Sequence, residues 1–485
     1  MSIIAEVAVA KPVFPHYPSI NMLSLIETLR RFRHTAIPLP FKYGSEFRRL
    51  FRFLQEHQYG SREELAGFQW QQLKALLAYA YDHVPYYHRT FTEVGLHPND
   101  VRSPVDFRQI PILHKEQIVA HGDELKSDQF DRFNPMPATT SATTRDGLTI
   151  YRSRHLEHYR LAAVWRHYFN IGYCFREPRA QLTVPLKFVS DSKEMPIDYN
   201  ENALLIDTRS VTLENSPRIY ERLKSFHPKL LFCQPTNAVI LIEHFRERGF
   251  SPFSIPIIYC LGEKLYPEYR AAINSFFGAG VIQYYGNREN TVAATELNDG
   301  RMYINSEYCY VEFQSSDGPC ADGTPGDIVT TSLQNYAFPL IRYHTEDLGA
   351  PHGYPQGALR NYETMEIIGG RGKDLLLTKN GLIAPQIIPV IEKVCAGKFK
   401  RVQIEQHTLE DLTVRVIPNE TFDRKHDPAR IEAAYRECFQ NQFKVEVELV
   451  DKIDRTDSGK YKFVISEPAM NYLRQSLPQK SDPRR

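Results

Sequence analysis

The chain lacks any Cys-x-x-Cys pair, although it has seven cysteines, at Cys174, Cys233, Cys260, Cys309, Cys320, Cys395 and Cys438. An odd number at these spacings argues against a zinc ribbon or a disulfide scaffold and reads as free thiols in a reducing compartment. Net charge is nearly absent: 59 Lys and Arg against 58 Asp and Glu give +1. Basic and acidic residues are interspersed, so no footprint for nucleic acid or an anionic membrane stands out. No run approaches the ~18 apolar residues that span a bilayer. The N-terminal MSIIAEVAVAKPVF carries Glu6 and no basic leader, which argues against a signal peptide. The expectation is a cytoplasmic protein with no membrane span and no nucleic-acid partner. Tryptophan is scarce, with 2 residues, whereas Tyr and Phe number 28 each. That composition predicts a large aromatic core and hints only faintly at an aromatic-walled pocket. Also missing are a GxxxxGK[ST] loop, a GxGxxG turn after a strand and a GxSxG elbow. His155 and His158 have a helical ligand spacing but no third partner nearby in sequence, so a solvated helix face is expected rather than a metal site. There is no internal repeat and no low-complexity tract.

What is present is a clear alternation of elements. The lead-in to about Asn134 reads as helical; Arg62 to His83 carries Leu65, Phe68, Leu73, Leu76, Leu77 and Ala80 at helical spacing, and Pro85 ends that helix. From Leu230 to Tyr284 the pattern is strand (Leu230–Cys233), helix (Thr236–Arg248), strand (Ile257–Cys260), helix (Pro267–Phe277), strand (Val281–Tyr284). Short apolar strands alternating with helices predict parallel pairing in an α/β layered domain. Ligands collect beyond the carboxyl ends of such strands, so the segments after Cys260 and Tyr284 become the candidate site. From Asn305 to Thr331 alternating strands around the loop SSDGPCADGTPGD predict a β-rich subdomain. A glycine-rich joint, GGRGKD, follows at Gly369–Asp374. Beyond it strands near Arg401–Gln406, Leu412–Ile417 and Lys444–Val450, with a helix near Pro428–Phe439, predict a small α+β domain. The expected division is a large domain over 1–370 and a C-terminal domain over 371–485. The last ten residues, SLPQKSDPRR, have the composition of a disordered tail.

Five stretches carry chemistry when taken in order. TTSATTRDG, Thr139 to Gly147, is a run of hydroxyls able to donate to phosphate oxygens. LGEKL, Leu261 to Leu265, follows one predicted strand directly. QYYGNRE, Gln283 to Glu289, follows the next; here Tyr285 can stack on a purine, Gln283 can read its amino edge, and Glu289 can hold Mg²⁺. In FPLIRYHTEDLG, Phe338 to Gly349, Asp347 can accept two ribose hydroxyls. DRTDSGK, Asp454 to Lys460, is a turn that ends on a lysine. As a plain alternative, each of these is a linker, a strand end or a solvated turn; their weight comes from occurring together.

In this order and at these separations the five stretches resemble the adenylate-forming superfamily of acyl-CoA synthetases, luciferases and peptide-synthetase adenylation domains. The resemblance is closest to the phenylacetate-CoA ligase branch and its CapK-like relatives. Val84–Pro85–Tyr86–Tyr87 and Phe107–Arg108–Gln109–Ile110–Pro111–Ile112–Leu113–His114–Lys115 share it, and it extends from about Tyr81 to Ile465. FPLIRYHTEDLG and DRTDSGK are its most specific parts. The resemblance implies ATP and Mg²⁺, a carboxylic acid substrate (aromatic, if the Tyr and Phe content is a guide), and coenzyme A as acyl acceptor. A carrier-protein thiol or an amine remains an alternative acceptor. It assigns Thr140, Ser141, Thr143 and Thr144 to the phosphates, and Gly262 and Glu263 to the adenine. Tyr285 is assigned to stacking, within the nucleotide segment that also holds Gln283 and Gly286. Glu289 falls to Mg²⁺, Asp347 and Arg371 to ribose, Lys373 to a hinge, and Lys460 to the carboxylate and α-phosphate. Two departures stand out: Ala142 and Arg145 occupy positions where glycine is usual in the phosphate loop, and Arg288 replaces a usual Thr or Ser. A rival of another class is a nucleotide- or acyl-binding module without catalysis; Lys460, Glu289 and Asp347 speak against it, because binding alone does not require the lysine.

Overall fold

The computed structural model describes residues 39–139, 149–182, 195–315, 318–369, 376–379, 381–383, 390–391, 394–395, 398–453 and 464–476. The lead-in is helical, as expected. Helix α1 (Gly44–His57) precedes α2 (Arg62–His83), which opens on a capping box: the Ser61 side chain accepts from the Glu64 amide, and the Glu64 carboxylate accepts from the Ser61 amide. Such reciprocal caps satisfy two donors that the first turn leaves open. Helix α2 stops at the residue predicted, because the ring of Pro85 forces Val84 to an extended φ/ψ of −123°/107°, and Pro85 then starts α3 (Pro85–Glu93). A hairpin of β1 (Met136–Thr139) and β2 (Thr149–Arg152) leads into α4 (Arg154–Asn170).

The strands β3 (Arg179–Leu182), β4 (Ile197–Asp198) and β5 (Ala203–Leu205) come next, then α5 (Ser216–Phe226). The predicted alternation follows: β6 (Leu230–Cys233), α6 (Pro235–Glu247), β7 (Ile257–Leu261), α7 (Pro267–Phe277) and β8 (Gly280–Gly286). Strands β5, β3, β6, β7 and β8 pair in parallel. The apolar runs of β6 and β7 are largely buried, which is what a parallel sheet covered by helices requires. The β-rich region consists of β9 (Ala293–Glu296), β10 (Met302–Ile304), β11 (Cys309–Ser315), β12 (Gly318–Pro319), β13 (Gly326–Ser332), β14 (Tyr343–Pro351) and β15 (Thr364–Gly369). It is hydrogen-bonded to the parallel strands rather than set apart from them. Among the described residues thirteen strands form one sheet, in the order β12-β11-β13-β14-β15-β10-β9-β8-β7-β6-β3-β5-β4.

The C-terminal unit begins with a hairpin of β16 (Leu376–Thr378) and β17 (Gly381–Ile383). It continues through β18 (Phe399–Gln406), β19 (Asp411–Pro418), α8 (Asp427–Cys438), β20 (Lys444–Leu449), β21 (Val464–Ser466) and α9 (Glu467–Ser476). Its sheet order is β20-β19-β18-β21. Helix α9 rests on the large domain: Ala469 is buried in a cluster with residues of α6 and α7, and the Tyr472 hydroxyl donates to Glu243 Oε2 at 2.8 Å. The fold is thus mixed α/β, with a large N-terminal domain and a small C-terminal one.

The aromatic content serves mainly as core. Trp165, Tyr168, Tyr173 and Tyr259 are buried together between α4 and the sheet, with Trp165 and Tyr173 rings stacked at 6.0 Å. All seven cysteines are free, with Cys174 and Cys438 exposed, and no described helix is long and apolar enough to cross a membrane.

Helix α4 is locked to the sheet by a buried ion pair. Arg166 Nη1 donates to Glu307 Oε1 at 2.9 Å, its Nη2 to Asn305 Oδ1 at 2.9 Å, and the Tyr362 hydroxyl donates to Glu307 Oε1 at 2.5 Å. Side-chain exposures of 3% and 1% leave this pair out of water. Burial would push the Glu307 carboxyl up; Arg166, with His57 and Tyr362, overrides it and holds the carboxyl at about 2 instead of the usual 4.5. A depressed carboxylate stabilises the fold above its unfolded pKa, and that contribution fades as pH falls towards the folded value. Glu307→Gln is therefore expected to cost about 3–5 kcal/mol at pH 7 by stranding a buried guanidinium. Chemical denaturation over a pH series checks it: the wild type loses stability between about pH 4.5 and pH 2, and the variant lacks that part of the loss.

Candidate functional site

Strand β7 ends at Leu261, and the chain turns through Gly262 at a φ of +78°, a region costly for residues with a Cβ. Glu263 follows, only 9% exposed. Its Oε2 accepts from the Thr236 hydroxyl at 2.5 Å and the Thr236 amide at 3.3 Å, in the first turn of α6. A carboxylate there meets open helix amides and the positive end of the helix dipole. Glu263 thus braces the β7 exit against α6. The next residue, Lys264, donates from Nζ to the Ile368 carbonyl at 2.5 Å, tying this segment to β15.

Strand β8 carries the second set. The Gln283 amide donates to Glu296 Oε2 at 2.7 Å, and Arg270 Nη2 holds both Glu296 oxygens at 2.9 and 2.8 Å. The Tyr285 hydroxyl donates to Asp347 Oδ2 at 3.0 Å across 62 residues of sequence. Burial, then the Asp347 charge, push the Tyr285 phenol well above its ordinary pKa, so it remains a donor. A Cβ on Gly286 would lie 2.7 Å from the Tyr284 ring, so any other residue there would force that ring to shift. The loop beyond is set by Asn287, whose Oδ1 accepts from the Thr291 amide at 2.9 Å, while its Nδ2 donates to Thr291 Oγ1 at 2.6 Å. Between them Glu289 accepts from the Tyr343 hydroxyl at 2.9 Å.

Tyr343 is fixed from β14. Arg342, at a φ of +50°, donates from Nε to Glu312 Oε2 at 2.9 Å and from Nη1 to the Arg108 carbonyl at 2.7 Å, and it also bonds the Ile110 carbonyl. Left-handed torsion costs about 1–2 kcal/mol outside glycine, and this buried network offsets it. Leu113 bridges to Tyr343, so the segment Phe107–Lys115 lies alongside β14. Tyr343 was not singled out from the sequence, although it sits inside FPLIRYHTEDLG.

Gly262, Glu263, Gln283, Tyr285, Gly286, Glu289 and Asp347 thus lie on two neighbouring strand exits and the facing strand β14, with Tyr285 joined to Asp347 directly. The Glu263 carboxylate faces α6. Thr140, Ser141, Thr143, Thr144, Ala142, Arg145, Arg371, Lys373 and Lys460 lie outside the described residues. Glu289 offers a single half-buried carboxylate, and no group of three or more His, Cys, Asp or Glu side chains among the described residues is placed to hold a metal. One carboxylate fits Mg²⁺ that arrives on phosphates and keeps several waters, and does not fit a caged metal. His155 and His158 lie on a partly exposed helix face, where their Nδ1 atoms bond Glu46 Oε1 and Oε2 at 2.6 and 2.8 Å, pinning α1 to α4. The sequence offered no sign of Glu46.

With this geometry in view, comparisons with known proteins are informative. Residues 375–467 match the family of the CapK C-terminal domain. The phenylacetate-coenzyme A ligase of Thermus thermophilus is 25% identical over 75% of this chain and 84% of its own length. Protein CapK of Staphylococcus aureus is 22% identical over 58% of this chain and 62% of its own length. A solved 2-hydroxyisobutyryl-CoA ligase, in complex with 2-HIB-AMP and CoA in the thioesterification state, superposes with a TM-score of 0.58 at 20% identity. That superposition covers 86% of this chain and 93% of the ligase, a likeness of fold. The chain is thus similar to the phenylacetate-CoA ligase and CapK branch of the adenylate-forming ligases, and this likeness supports an AMP-forming ligase.

Proposed function

We propose that this ligase joins a carboxylic acid to ATP, releasing pyrophosphate, and passes the acyl group from the resulting acyl-AMP to the thiol of coenzyme A. The observation that carries the reading is the Tyr285–Asp347 contact beside Glu289–Tyr343. It brings residues from two separate sequence stretches to one place, beyond the carboxyl ends of β7 and β8, where open α/β sheets take ligands.

The chemistry assigns each residue a task. The carboxylate oxygen attacks the α-phosphorus and the pyrophosphate leaves, so two anions must approach. Glu289 would hold Mg²⁺, which would neutralise the triphosphate. The Tyr343 hydroxyl orients the Glu289 carboxylate. Tyr285 offers its ring to the adenine while its hydroxyl holds Asp347, which takes the ribose hydroxyls. Thr140, Ser141, Thr143 and Thr144 cradle phosphates, Arg371 joins Asp347 at the ribose, and Lys460 bridges the carboxylate and the α-phosphate. Lys373 is the pivot between the two half-reactions. These assignments rest on the family resemblance. An aryl acetic acid is the first acid to test, since relatives carry the name phenylacetate-coenzyme A ligase.

Acid-dependent exchange of labelled pyrophosphate into ATP tests the reading. Lys460→Ala is expected to slow exchange by roughly 10²–10³ while leaving the melting temperature in place; wild-type exchange in that variant removes Lys460 from the reaction. Glu289→Gln keeps the size of the side chain and loses its charge, so it should raise the Mg²⁺ concentration for half-maximal exchange by about tenfold. An unchanged Mg²⁺ titration excludes Glu289 from the metal.

A further inference from the structure

Glu157 has no place in the assignments above, yet it joins two of the segments they depend on. It lies in the first turn of α4, with a side-chain exposure of 17%. Its Oε1 takes Arg152 Nη1 at 3.0 Å and Asn290 Nδ2 at 3.1 Å. Its Oε2 takes Arg160 Nε at 3.1 Å and Nη2 at 3.0 Å. Arg152 is the last residue of β2. Its Nε is buried without a hydrogen-bond partner, so its placement relies on the Glu157 ion pair. Asn290 directly follows Glu289; it is 6% exposed and sits at a φ of +55°.

The carrier of this carboxylate is rigid. Ser153 caps α4 by accepting from the Leu156 amide at 3.1 Å, and the Ser153 amide donates to Asn335 Oδ1 at 3.1 Å. A second anchor, the buried Arg166–Glu307 pair, lies about two and a half turns further along α4. A charge-assisted bond from such a helix to Asn290 fixes the loop more firmly than a bond between neutral groups.

We propose that Glu157 is a positioning residue of the ligase: from α4 it spaces β2 and the Glu289 loop so that the Glu289 carboxylate meets Mg²⁺ on the bound triphosphate. This rests on the assignment of Glu289 to the metal. Glu157 does not touch the nucleotide; it acts through Asn290. The loss of its anchor therefore shows in the metal-dependent part of ATP binding and little in binding without metal.

The experiment is ATP titration by calorimetry, with and without Mg²⁺, on wild type, Glu157→Ala, Asn290→Gly and the double variant. Glycine tolerates the left-handed torsion at 290 and removes only the amide. The expected result is an affinity about tenfold weaker in the presence of Mg²⁺ for each single variant, and near-wild-type affinity in its absence. The double variant should be no worse than Glu157→Ala, because both remove one link. Equal weakening with and without Mg²⁺, additive losses, or unchanged binding overturns the proposal. Should Glu157→Ala fail to fold, Asn290→Gly decides it alone: unchanged Mg²⁺-dependent affinity there overturns the proposal. A wild type that binds no ATP overturns this inference and the proposed function together, whereas one that binds ATP·Mg²⁺ without acid-dependent exchange sinks the proposed function alone.

Discussion

The pair of tyrosine–carboxylate hydrogen bonds between β8 and β14 is the constraint on which the site depends. Three strands, β9, β10 and β15, lie between them in the sheet. At about 4.8 Å per strand, a flat sheet would keep β8 and β14 roughly 19 Å apart. Tyr285–Asp347 at 3.0 Å and Tyr343–Glu289 at 2.9 Å require the sheet to curl until the β8 exit faces β14. Short β9 and β10, together with the register shift between Leu348 and Gly349 on β14, favour that curl. The two tyrosines then act as spacers that set the separation of Asp347 and Glu289.

The surroundings of this pair follow the same logic of bracing. Each exit that faces the site is held from behind by a charged group: Glu263 on α6, Glu296 with Arg270 behind Gln283, and Arg342 with Glu312 beside Tyr343. All but Arg270 are buried, where a charge persists only if it is paired and hydrogen-bonded. The glycine backbone at Gly262 and Gly286 is thereby kept in place without side chains of its own.

The parallel core was legible in the sequence for a simple physical reason. Strands covered on both faces read as short unbroken apolar runs, and Leu230–Cys233 and Pro267–Phe277 were bounded correctly by flanking punctuation. The β8 strand extends past Tyr284 to Gly286, because that end pairs antiparallel with Ala294 and Ala293 of β9, a partner distant from the local pattern. That the β-rich strands belong to the same sheet was not legible, since their order depends on pairings distant in sequence such as β10 with β15. At the site, motif order pointed to Tyr285, Glu289 and Asp347, whereas Tyr343, which bonds Glu289, and Glu157, which bonds Asn290, were not singled out. The histidines at 155 and 158 show the converse: a ligand-like spacing resolved by a glutamate, Glu46, that only the fold brings near.

The central claim is that the acid becomes an acyl-adenylate, and isotope transfer tests it most directly. In adenylation a carboxylate oxygen bonds the α-phosphorus and stays on AMP when the thiol of coenzyme A displaces it. Turnover of an acid labelled with ¹⁸O in both carboxylate positions is therefore predicted to place one labelled oxygen in each AMP formed, read by mass spectrometry. Label appearing in inorganic phosphate, with ADP as the nucleotide product, would show an acyl-phosphate route and contradict the account.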